Sequence, residues 1–473
     1  MSTPKLTQDC LDALAADLDG ELVCPGDEAY EGARSVWSGL IDRRPAVIAR
    51  CAGTQDVRAA VNFARERDLL VSVRGGAHSA PGHSTCDDGI VIDLTPLKAV
   101  AVDPEARTAI VGAGVTWGEL DTATQEHGLA VTGGRVSTTG VAGLTLGSGS
   151  GWLGRMYGMT CQSLLGAEVV TAAGEIVRCS DQENFDLLWG LRGGGGNFGV
   201  VTKFVFRLHP VGPIVYAGQI LHPREAAKDL LRFYRDFMAQ APDEVGGGLA
   251  LITAPPLDFI PEAARGKPVA GVTVLYVGDP SEGERAFASL LEWGDPLLTM
   301  VQPMPYTAVQ SMIDAGAPYG IREYFKIDYL GDLSDEAVDA MVDQVNTGTS
   351  PFTQVVLEPL GGEMDRADQS RMALGCPSAG WSYHCLNMWM DPAQDEEQMQ
   401  WARDFAAVMQ PHSLGQALPN FISADEGEAR LKAAYGTEKY ERLVALKGTY
   451  DPANLFRLNQ NIRPSAGGNG APG

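Results

Sequence analysis

Residues 74–82 read Arg-Gly-Gly-Ala-His-Ser-Ala-Pro-Gly, and no other stretch of the chain says more about its architecture. A short valine-rich run at 70–73 precedes it, so the pattern predicts a strand that ends in a glycine turn. Two further glycine-rich segments follow at Gly133–Gly151 and Gly193–Gly199. Glycine lets a backbone approach a ligand closely, and consecutive backbone N–H groups can bind a phosphate without a lysine. The three segments therefore favour a site for a phosphate-bearing ligand, although ordinary loops remain an alternative for glycines alone.

The common nucleotide-binding fingerprints do not fit these segments. A Rossmann GxGxxG opens a helix directly after a strand and is followed by an acidic residue about 20 positions later. Gly147–Gly151 has the glycines without a surrounding βαβ unit, and Gly75-Gly76 leads into Pro81-Gly82, where no helix is predicted. A Walker lysine motif is also missing from the sequence. The residues between the glycines must therefore identify the ligand.

Charge and length exclude several classes of protein. The 473 residues include 36 lysines and arginines against 60 aspartates and glutamates, a net charge of −24. Nucleic acid and acidic membranes repel such a chain, so we expect neither as a partner. No run of 18 apolar residues occurs, and residues 1–20 do not resemble a secretory signal. These features predict a cytoplasmic protein of at least two domains, and nothing in the sequence favours a particular oligomeric state.

The cysteines predict neither a disulfide framework nor a metal site. None of them forms a CxxC pair or a Cys/His cluster with zinc spacing. Free thiols are the expected state in a reducing cytoplasm. The eight residues concerned are Cys10, Cys24, Cys51, Cys86, Cys161, Cys179, Cys376 and Cys385.

Hydrophobic periodicity divides the chain into two parts near residue 213. The predicted elements of the first part are a helix over 54–68, strands over 70–73, 90–94, 107–112 and 200–208, and a hairpin over 167–178. The second part predicts strands over 269–277, 353–358 and 381–390, and helices over 224–240, 333–345 and 396–409. One helix over 428–447 is predicted near the end, with a strand-like tail and a frayed terminus over 463–473.

The residues around the glycines resemble the FAD-linked oxidases of the p-cresol methylhydroxylase/vanillyl-alcohol oxidase superfamily. The matching segments occur in order at 74–82, 88–94, 140–158, 165–170, 188–194 and 197–201. The C-terminal segments at 450–456 and 459–461 are similar to those of the berberine bridge enzyme-like branch. The resemblance covers the chain from about Arg50 to Pro464, so chance is not a serious alternative.

The resemblance implies an α+β fold. It comprises a PCMH-type FAD-binding domain of two α/β subdomains and a substrate domain with an antiparallel sheet covered by helices. We place the FAD-binding domain at 1–213, the substrate-binding domain at 214–413, and a C-terminal segment that returns to the FAD domain at 414–473.

The implied cofactor is FAD, bound covalently through the 8α carbon of the flavin to His78. Many relatives form a second bond from a cysteine to flavin C6, but Val136 occupies that place, and the nearest cysteine, Cys161, lies outside the motif. One covalent bond is therefore expected, as in the 6-hydroxynicotine oxidase-like pattern. The other residues expected to contact FAD are Arg74, Gly75, Gly76, Ala77, Ser79, Gly82, Ser137, Thr138, Thr139, Gly140, Gly143, Gly147, Gly151, Trp152, Tyr157, Gly199, Val201, Asn459 and Asn461.

Several residues are candidates for the catalytic base. Tyr435 matches a tyrosine-rich stretch where relatives carry an active-site tyrosine. Glu358, at the end of its predicted strand, is either a carboxylate base or a solvated strand end. The strand at 381–390 lines the substrate pocket in the family, and it alternates between two faces. Tyr383, Cys385, Asn387 and Trp389 share one face, and Ser382, His384 and Met388 share the other. The sequence leaves open which face meets the cofactor, so Tyr383, His384 and Asn387 are all candidates.

These features predict an FAD-linked oxidase that transfers a hydride from a small alcohol, amine or secondary metabolite to flavin N5, with dioxygen as the expected acceptor. Two alternatives share the same flavin site. One is an oxygenase or cyclase that tailors a polyketide-like product, and the other is a dehydrogenase that uses another acceptor. A flavin-binding protein without turnover is a fourth reading from a different class.

Overall fold

The computed structural model describes residues 6–374, 378–423 and 425–465. Its strands, numbered along the chain, are β1 (Glu21–Val23), β2 (Val47–Arg50), β3 (Val71–Arg74), β4 (Ile90–Asp93), β5 (Val100–Asp103), β6 (Thr108–Gly112), β7 (Leu129–Ala130), β8 (Leu164–Val170), β9 (Ile176–Ser180), β10 (Val200–Arg207), β11 (His209–Pro210), β12 (Ile214–Pro223), β13 (Val245–Thr253), β14 (Pro268–Tyr276), β15 (Leu298–Pro305), β16 (Arg322–Leu330), β17 (Gln354–Pro359) and β18 (Trp381–Trp389).

The helices connect and cover these strands. They are α1 (Gln8–Ala16), α2 (Tyr30–Arg34), α3 (Thr54–Glu66), α4 (Trp117–Gln125), α5 (Val141–Leu146), α6 (Gly154–Tyr157), α7 (Phe185–Leu191), α8 (Ala227–Met238), α9 (Pro280–Ala286), α10 (Ala288–Leu291), α11 (Tyr306–Gln310), α12 (Asp335–Val345), α13 (Glu363–Arg366), α14 (Asp395–Met409), α15 (Gly427–Tyr435) and α16 (Thr437–Tyr450). No helix within the described ranges is both long and apolar enough to cross a membrane.

Two small sheets form most of the first part of the molecule, in which β7 and β11 also pair as a two-stranded sheet. The first has the order β1-β2-β4-β3 and pairs its last three strands in parallel. The second has the order β5-β6-β10-β8-β9 and is antiparallel. Both contribute to one large hydrophobic core, in which the predicted helix α3 buries Val57, Val61 and Ala64. The first glycine-rich segment follows β3 directly, and the Gly193–Gly199 segment leads into β10.

A seven-stranded antiparallel sheet forms the second part, in the order β15-β12-β14-β13-β17-β18-β16. Residues on its two faces alternate, because successive side chains of a strand point in opposite directions. One face packs on α8, α12 and α14 through residues such as Tyr234, Met341 and Phe405. The opposite face covers a cavity and is called the roof below. An α+β fold with a helix-covered antiparallel sheet is thus confirmed, while the domain boundaries at 213 and 413 stay predictions.

The C-terminal part differs from its prediction in two ways. The single helix expected over 428–447 is two helices, because Gly436 takes a φ of 72° between Tyr435 and Thr437. Residues 451–465 form no strand. Instead the Asn197 side chain donates to Gln460 O at 3.1 Å and accepts from Ile462 N at 3.0 Å. One side-chain amide therefore makes the hydrogen bonds that a neighbouring strand would make.

A buried ion pair anchors this tail to the first part of the molecule. Lys447 and Asp451 are fully buried and lie 2.6 Å apart. Lys447 Nζ also donates to the carbonyls of Asn197 and Phe456, at 2.8 and 2.9 Å. Asp451 accepts from the backbone of Leu455 and Phe456. A single pair thus closes the loop after α16 and fixes it against the Gly193–Gly199 segment.

Lys447→Met is expected to lower the free energy of unfolding by about 3 to 5 kcal/mol, because it leaves the Asp451 carboxylate buried without its partner. Denaturant unfolding measures this loss. Lys432→Met is the matched control, since Lys432 pairs with Glu428 at the same i,i+4 spacing but on the surface. That change should cost less than about 1 kcal/mol. Equal losses in the two variants would contradict the anchoring role.

The seven cysteines within the described residues, Cys10, Cys24, Cys51, Cys86, Cys161, Cys179 and Cys385, carry free thiols. The eighth, Cys376, lies outside the described residues, as do residues 466–473 of the predicted frayed terminus.

Candidate active site

A cavity of about 470 Å³ lies between the glycine-rich segments and the roof. Its lower wall is formed by backbone-rich stretches at 75–84, 134–150 and 195–201. Residues 418–421 and 456–460 of the C-terminal part close its side. Its volume is in the range typical of sites for small molecules and cofactors. All three glycine segments singled out in the sequence thus reach one cavity.

The loop after β3 holds His78 in a constrained position. A Cβ on Gly76 would lie 2.2 Å from Gly140 N, so only glycine permits this approach of the two loops. Ala77 has a φ of 59°, which an alanine adopts only under strain. His78 stacks on Trp37 with ring centroids 5.0 Å apart, and its Nε2 lies 2.9 Å from Thr138 Oγ1. Burial lowers the pKa of His78 to about 4, so the imidazole is neutral at pH 7.

The segment 134–140 is held from the roof side. Asp314, just after α11, accepts from Ser137 N at 2.8 Å and from Ser137 Oγ at 2.5 Å. Val136 lines the cavity, whereas Cys161 is buried elsewhere with its Sγ 3.7 Å from Leu374 O. Among the described residues, no cysteine therefore lines the cavity.

The cavity brings together more than half of the residues expected at the cofactor. Those on its wall are Gly75, Gly76, Ala77, His78, Ser79, Thr139, Gly140, Gly143, Trp152, Gly199, Val201 and Asn459. The Asn459 amide donates to Gly196 O and Phe456 O, both at 3.0 Å, while its buried Oδ1 has no partner within the described residues. This acceptor therefore remains available to a ligand.

The other expected contact residues do not line the cavity, and they are Arg74, Gly82, Ser137, Thr138, Gly147, Gly151, Tyr157 and Asn461. The buried Arg74 guanidinium bonds to the carbonyls of Ala33 and Ser35. Tyr157 stacks on His209 and donates to Pro210 O at 2.9 Å. Side chains already bonded to the backbone in this way hold the loops and are not free to contact a ligand.

The roof carries a buried group of polar residues over the cavity. Glu358 Oε1 pairs with Arg135 at 2.7 Å, and Glu358 Oε2 lies 3.6 Å from His384 Nε2. The same His384 nitrogen is 3.2 Å from Ser382 Oγ. Arg135 also lies over the ring of Trp152, 4.7 Å from its centroid. Burial lowers the pKa of His384, Glu358 opposes this shift in part, and Arg135 adds to it, so the ring is neutral at pH 7 and able to accept a proton.

The faces of β18, left open by the sequence, are now assigned. His384, Leu386 and Met388 line the cavity, while Tyr383, Cys385 and Trp389 belong to the core behind the sheet. Asn387 shares that far side, where its Oδ1 accepts from Thr353 Oγ1 and its Nδ2 donates to Gln398. Asn387 and Tyr383 are therefore not placed to act on a ligand, which corrects the expectation for both.

Tyr435 does not reach the cavity either. It lies in the main core at the end of α15, and its hydroxyl donates to Gly193 O at 2.9 Å. Burial raises the pKa of Tyr435, which disfavours the phenolate that a base would need. The expectation of a catalytic Tyr435 is therefore corrected. The residue does lie beside the Gly193–Gly199 segment, but its hydroxyl binds the Gly193 carbonyl outside the cavity.

Tyr435→Phe is accordingly expected to leave any reaction in the cavity unchanged and to lower the free energy of unfolding by about 1 kcal/mol, the net value of one hydrogen bond. Denaturant unfolding and flavin-reduction rates on the same preparation measure both effects. A large loss of reduction rate at unchanged stability would restore Tyr435 as a reacting group.

Sequence reasoning did not select several residues that shape the site. Arg135 lies inside the glycine-rich segment Gly133–Gly151 and could have been noticed as the charged residue beside Val136. Trp37 and Asp314 are distant in sequence from any motif, and only packing brings them to His78 and Ser137. Asn420, whose Nδ2 lies 3.2 Å from Gly143 O, likewise reaches the cavity from the tail.

Comparison with known proteins assigns the chain to a family. The family described as FAD binding domain matches residues 45–180, and the one described as Berberine and berberine like matches residues 419–463. An FAD-linked oxidoreductase of Dictyostelium discoideum is 30% identical over 94% of this chain and 95% of its own length. The (R)-6-hydroxynicotine oxidase of Paenarthrobacter nicotinovorans is 29% identical over 96% of this chain and 98% of its own.

Solved structures agree with this assignment. The 6-hydroxy-D-nicotine oxidase from Arthrobacter nicotinovorans superposes with a TM-score of 0.85 at 28% identity, covering 95% of this chain and 98% of that one. A variant of berberine bridge enzyme shares the fold with a TM-score of 0.84 at 20% identity over 97% and 99% of the two chains. The chain therefore belongs to the berberine bridge enzyme-like family of FAD-linked oxidoreductases.

Proposed function

We propose that this FAD-linked oxidoreductase is an oxidase with one covalent bond between FAD and His78, acting on a small alcohol, amine or secondary metabolite with dioxygen as acceptor. One observation carries the proposal: a single cavity holds a neutral imidazole on a constrained loop and, on its roof, a second neutral imidazole beside a carboxylate. The first is suited to attachment of the cofactor and the second to proton transfer.

The cavity fits FAD by the chemistry of its wall. Gly76 and Gly140 bring two backbone segments together with no side chain between them, and backbone N–H groups of such glycine-rich segments can bind a pyrophosphate. The charged residues among the described lining are Arg135 and Glu358, and they pair with each other. Because Arg135 is not free to bind a phosphate, backbone N–H groups would hold the phosphates of FAD. Asn459 Oδ1, which has no partner among the described residues, would accept a hydrogen bond from the cofactor. Gly199 and Val201 would lie at the adenine side.

His78 would supply the attachment. A ring nitrogen of His78 would give up its proton and hold the flavin at its 8α carbon through a C–N bond. Dioxygen would take up the two electrons and two protons that this oxidation releases, giving hydrogen peroxide. The ring stack with Trp37 and the contact of Nε2 with Thr138 would hold the imidazole in one orientation during this step. With valine at 136 and no cysteine among the described lining residues, a second bond is not expected.

Bound FAD would supply an acceptor for a hydride from a substrate carbon. His384 would take the proton from the neighbouring hydroxyl or amine, since its pKa is lowered and its ring is neutral. Glu358 would orient His384 and stabilise its charged form after proton transfer, while Arg135 holds Glu358 in place.

The relative that acts on 6-hydroxynicotine supports a small aromatic substrate. The free thiols of the seven cysteines within the described residues support the proposed cytoplasmic location.

An anaerobic screen of alcohols, amines and hydroxylated aromatics tests the proposal. We expect at least one compound to bleach the flavin, and air to restore its colour with one hydrogen peroxide for each substrate oxidised. Isotopic oxygen in the product would indicate an oxygenase instead. Recolouring only by an added acceptor would indicate a dehydrogenase, and no bleaching by any compound would favour a binding protein.

A further inference from the structure

One row of residues crosses the roof from strand to strand. The register pairs Gln219 with Thr273, and Thr273 with Gly248. Extending the β13–β17 register by one position places Gly248 opposite Glu358. All four residues line the cavity. The row therefore carries polar side chains at both ends and none in the middle, because Gly248 has no side chain.

The two ends of this row differ in what their side chains already bind. Glu358 is engaged by Arg135 and lies beside His384. The side chains of Gln219 and Thr273 make no hydrogen bond to any residue that the structure describes. Both are half-buried and face the cavity, so both are available to a ligand. An amide and a hydroxyl side by side can donate to or accept from one ligand group.

The gap between the two ends sets the size of a ligand that reaches both. Thr273 and Glu358 lie two strands apart, roughly 10 Å at the usual spacing of about 4.8 Å. With a hydrogen bond of about 2.8 Å at each end, two ligand groups roughly 4 to 10 Å apart can meet both. A skeleton of one or two fused rings spans that distance, and the notch at Gly248 leaves room for it.

Charge narrows the class of ligand further. Arg135 and Glu358, 2.7 Å apart, are the charged side chains among the described lining residues, so neither is free for an ionic ligand group. The rest of the roof beside the row is largely apolar, with Leu221, Ala250 and Val356. A neutral, flat molecule suits this surface better than a sugar, which needs many hydrogen-bond partners.

We propose that Gln219 and Thr273 form a second anchor for the substrate, so that the oxidase selects neutral, flat one- or two-ring compounds with a hydroxyl-type group at each end. One group lies at Glu358 and His384, and the other lies at Gln219 and Thr273. This inference rests on the proposed function and names the substrate class of the same site.

Binding of 2,6-dihydroxynaphthalene and 2-hydroxynaphthalene to the flavin-loaded protein tests the anchor, because the two probes differ by one hydroxyl. Anaerobic titration followed by the flavin absorbance gives both Kd values. We expect the diol to bind about three- to tenfold more tightly, the value of one net hydrogen bond. The near-isosteric Thr273→Val should reduce this ratio. Gln219→Leu with Thr273→Val should bring it to about one, with the single-hydroxyl probe changed less than twofold.

Gln354→Leu is the matched control. Gln354 carries the same amide on the same face, but its Nε2 already donates to Gly316 O at 3.0 Å, so the ratio should persist. A ratio that persists in the double variant, or flavin-loaded protein that binds neither probe, would overturn the anchor alone. Protein that holds no flavin would defeat the proposed function and this inference together.

Discussion

His78→Ala is expected to give protein that is colourless after acid precipitation, whereas the unchanged protein stays yellow. The reason is that His78 is a neutral imidazole on the cavity wall, held by Trp37 and Thr138 and therefore ready to act as a nucleophile. The measurement is the flavin absorbance of the precipitate, with the mass of the intact protein showing whether one FAD is attached. We expect the covalently bound fraction to fall from nearly all to none.

His83→Ala is the matched control for this experiment. His83 lies in the same loop, lines the same cavity, and has a pKa that burial also lowers to about 4. Its two ring nitrogens have no partner within the described residues, so it is the chemically closest rival. If the His78 variant keeps its covalent flavin while the His83 variant loses it, the attachment has been assigned to the wrong histidine.

His384→Asn is expected to slow the reduction of bound flavin by substrate about 10²- to 10⁴-fold, the usual contribution of a general base. Asparagine keeps a polar side chain on the roof but cannot take the proton. Stopped-flow measurement with the best compound of the anaerobic screen gives the rate. Reduction by dithionite, which needs no base, should be unchanged.

The rate of flavin reduction is expected to fall at acidic pH. Because burial lowers the pKa of His384, the neutral ring persists to more acidic pH than that of an ordinary histidine. The reduction rate should therefore be level across neutral pH and fall only when acid protonates the ring, and this acid limb should disappear in His384→Asn. If Glu358→Gln abolishes the limb and His384→Asn does not, the carboxylate is the base.

Local sequence was informative where chemistry depends on a short segment. The string from Arg74 to Gly82 indicated a strand, a glycine turn and an attachment histidine, and the structure places His78 on the cavity wall after β3. Alternation along β18 separated its two faces correctly, since period 2 follows from strand geometry alone. Which face meets the cavity depended on the helices α8, α12 and α14, which cover the other side.

The errors share one physical cause. Tyr435 and Asn387 are polar residues near the right segments, yet each is satisfied by a partner distant in sequence, Gly193 for one and Thr353 with Gln398 for the other. The tail without a strand also depends on such a partner, Asn197. Local patterns do not record which buried polar groups already have a hydrogen bond, although that decides which remain available to a ligand.

The sequence alone predicts an acidic α+β protein with an FAD-type glycine framework, one histidine for covalent attachment, and valine where a second bond would form. Short segments suffice for these predictions, because the conformational freedom of the backbone and the chemistry of a side chain are local properties. Only the tertiary structure joined Arg135 to Glu358 and His384, placed Trp37 against His78, and aligned Gln219, Thr273 and Gly248 in one row. Strand register and the packing of distant segments decide such contacts, because burial and hydrogen bonding are satisfied over the whole fold.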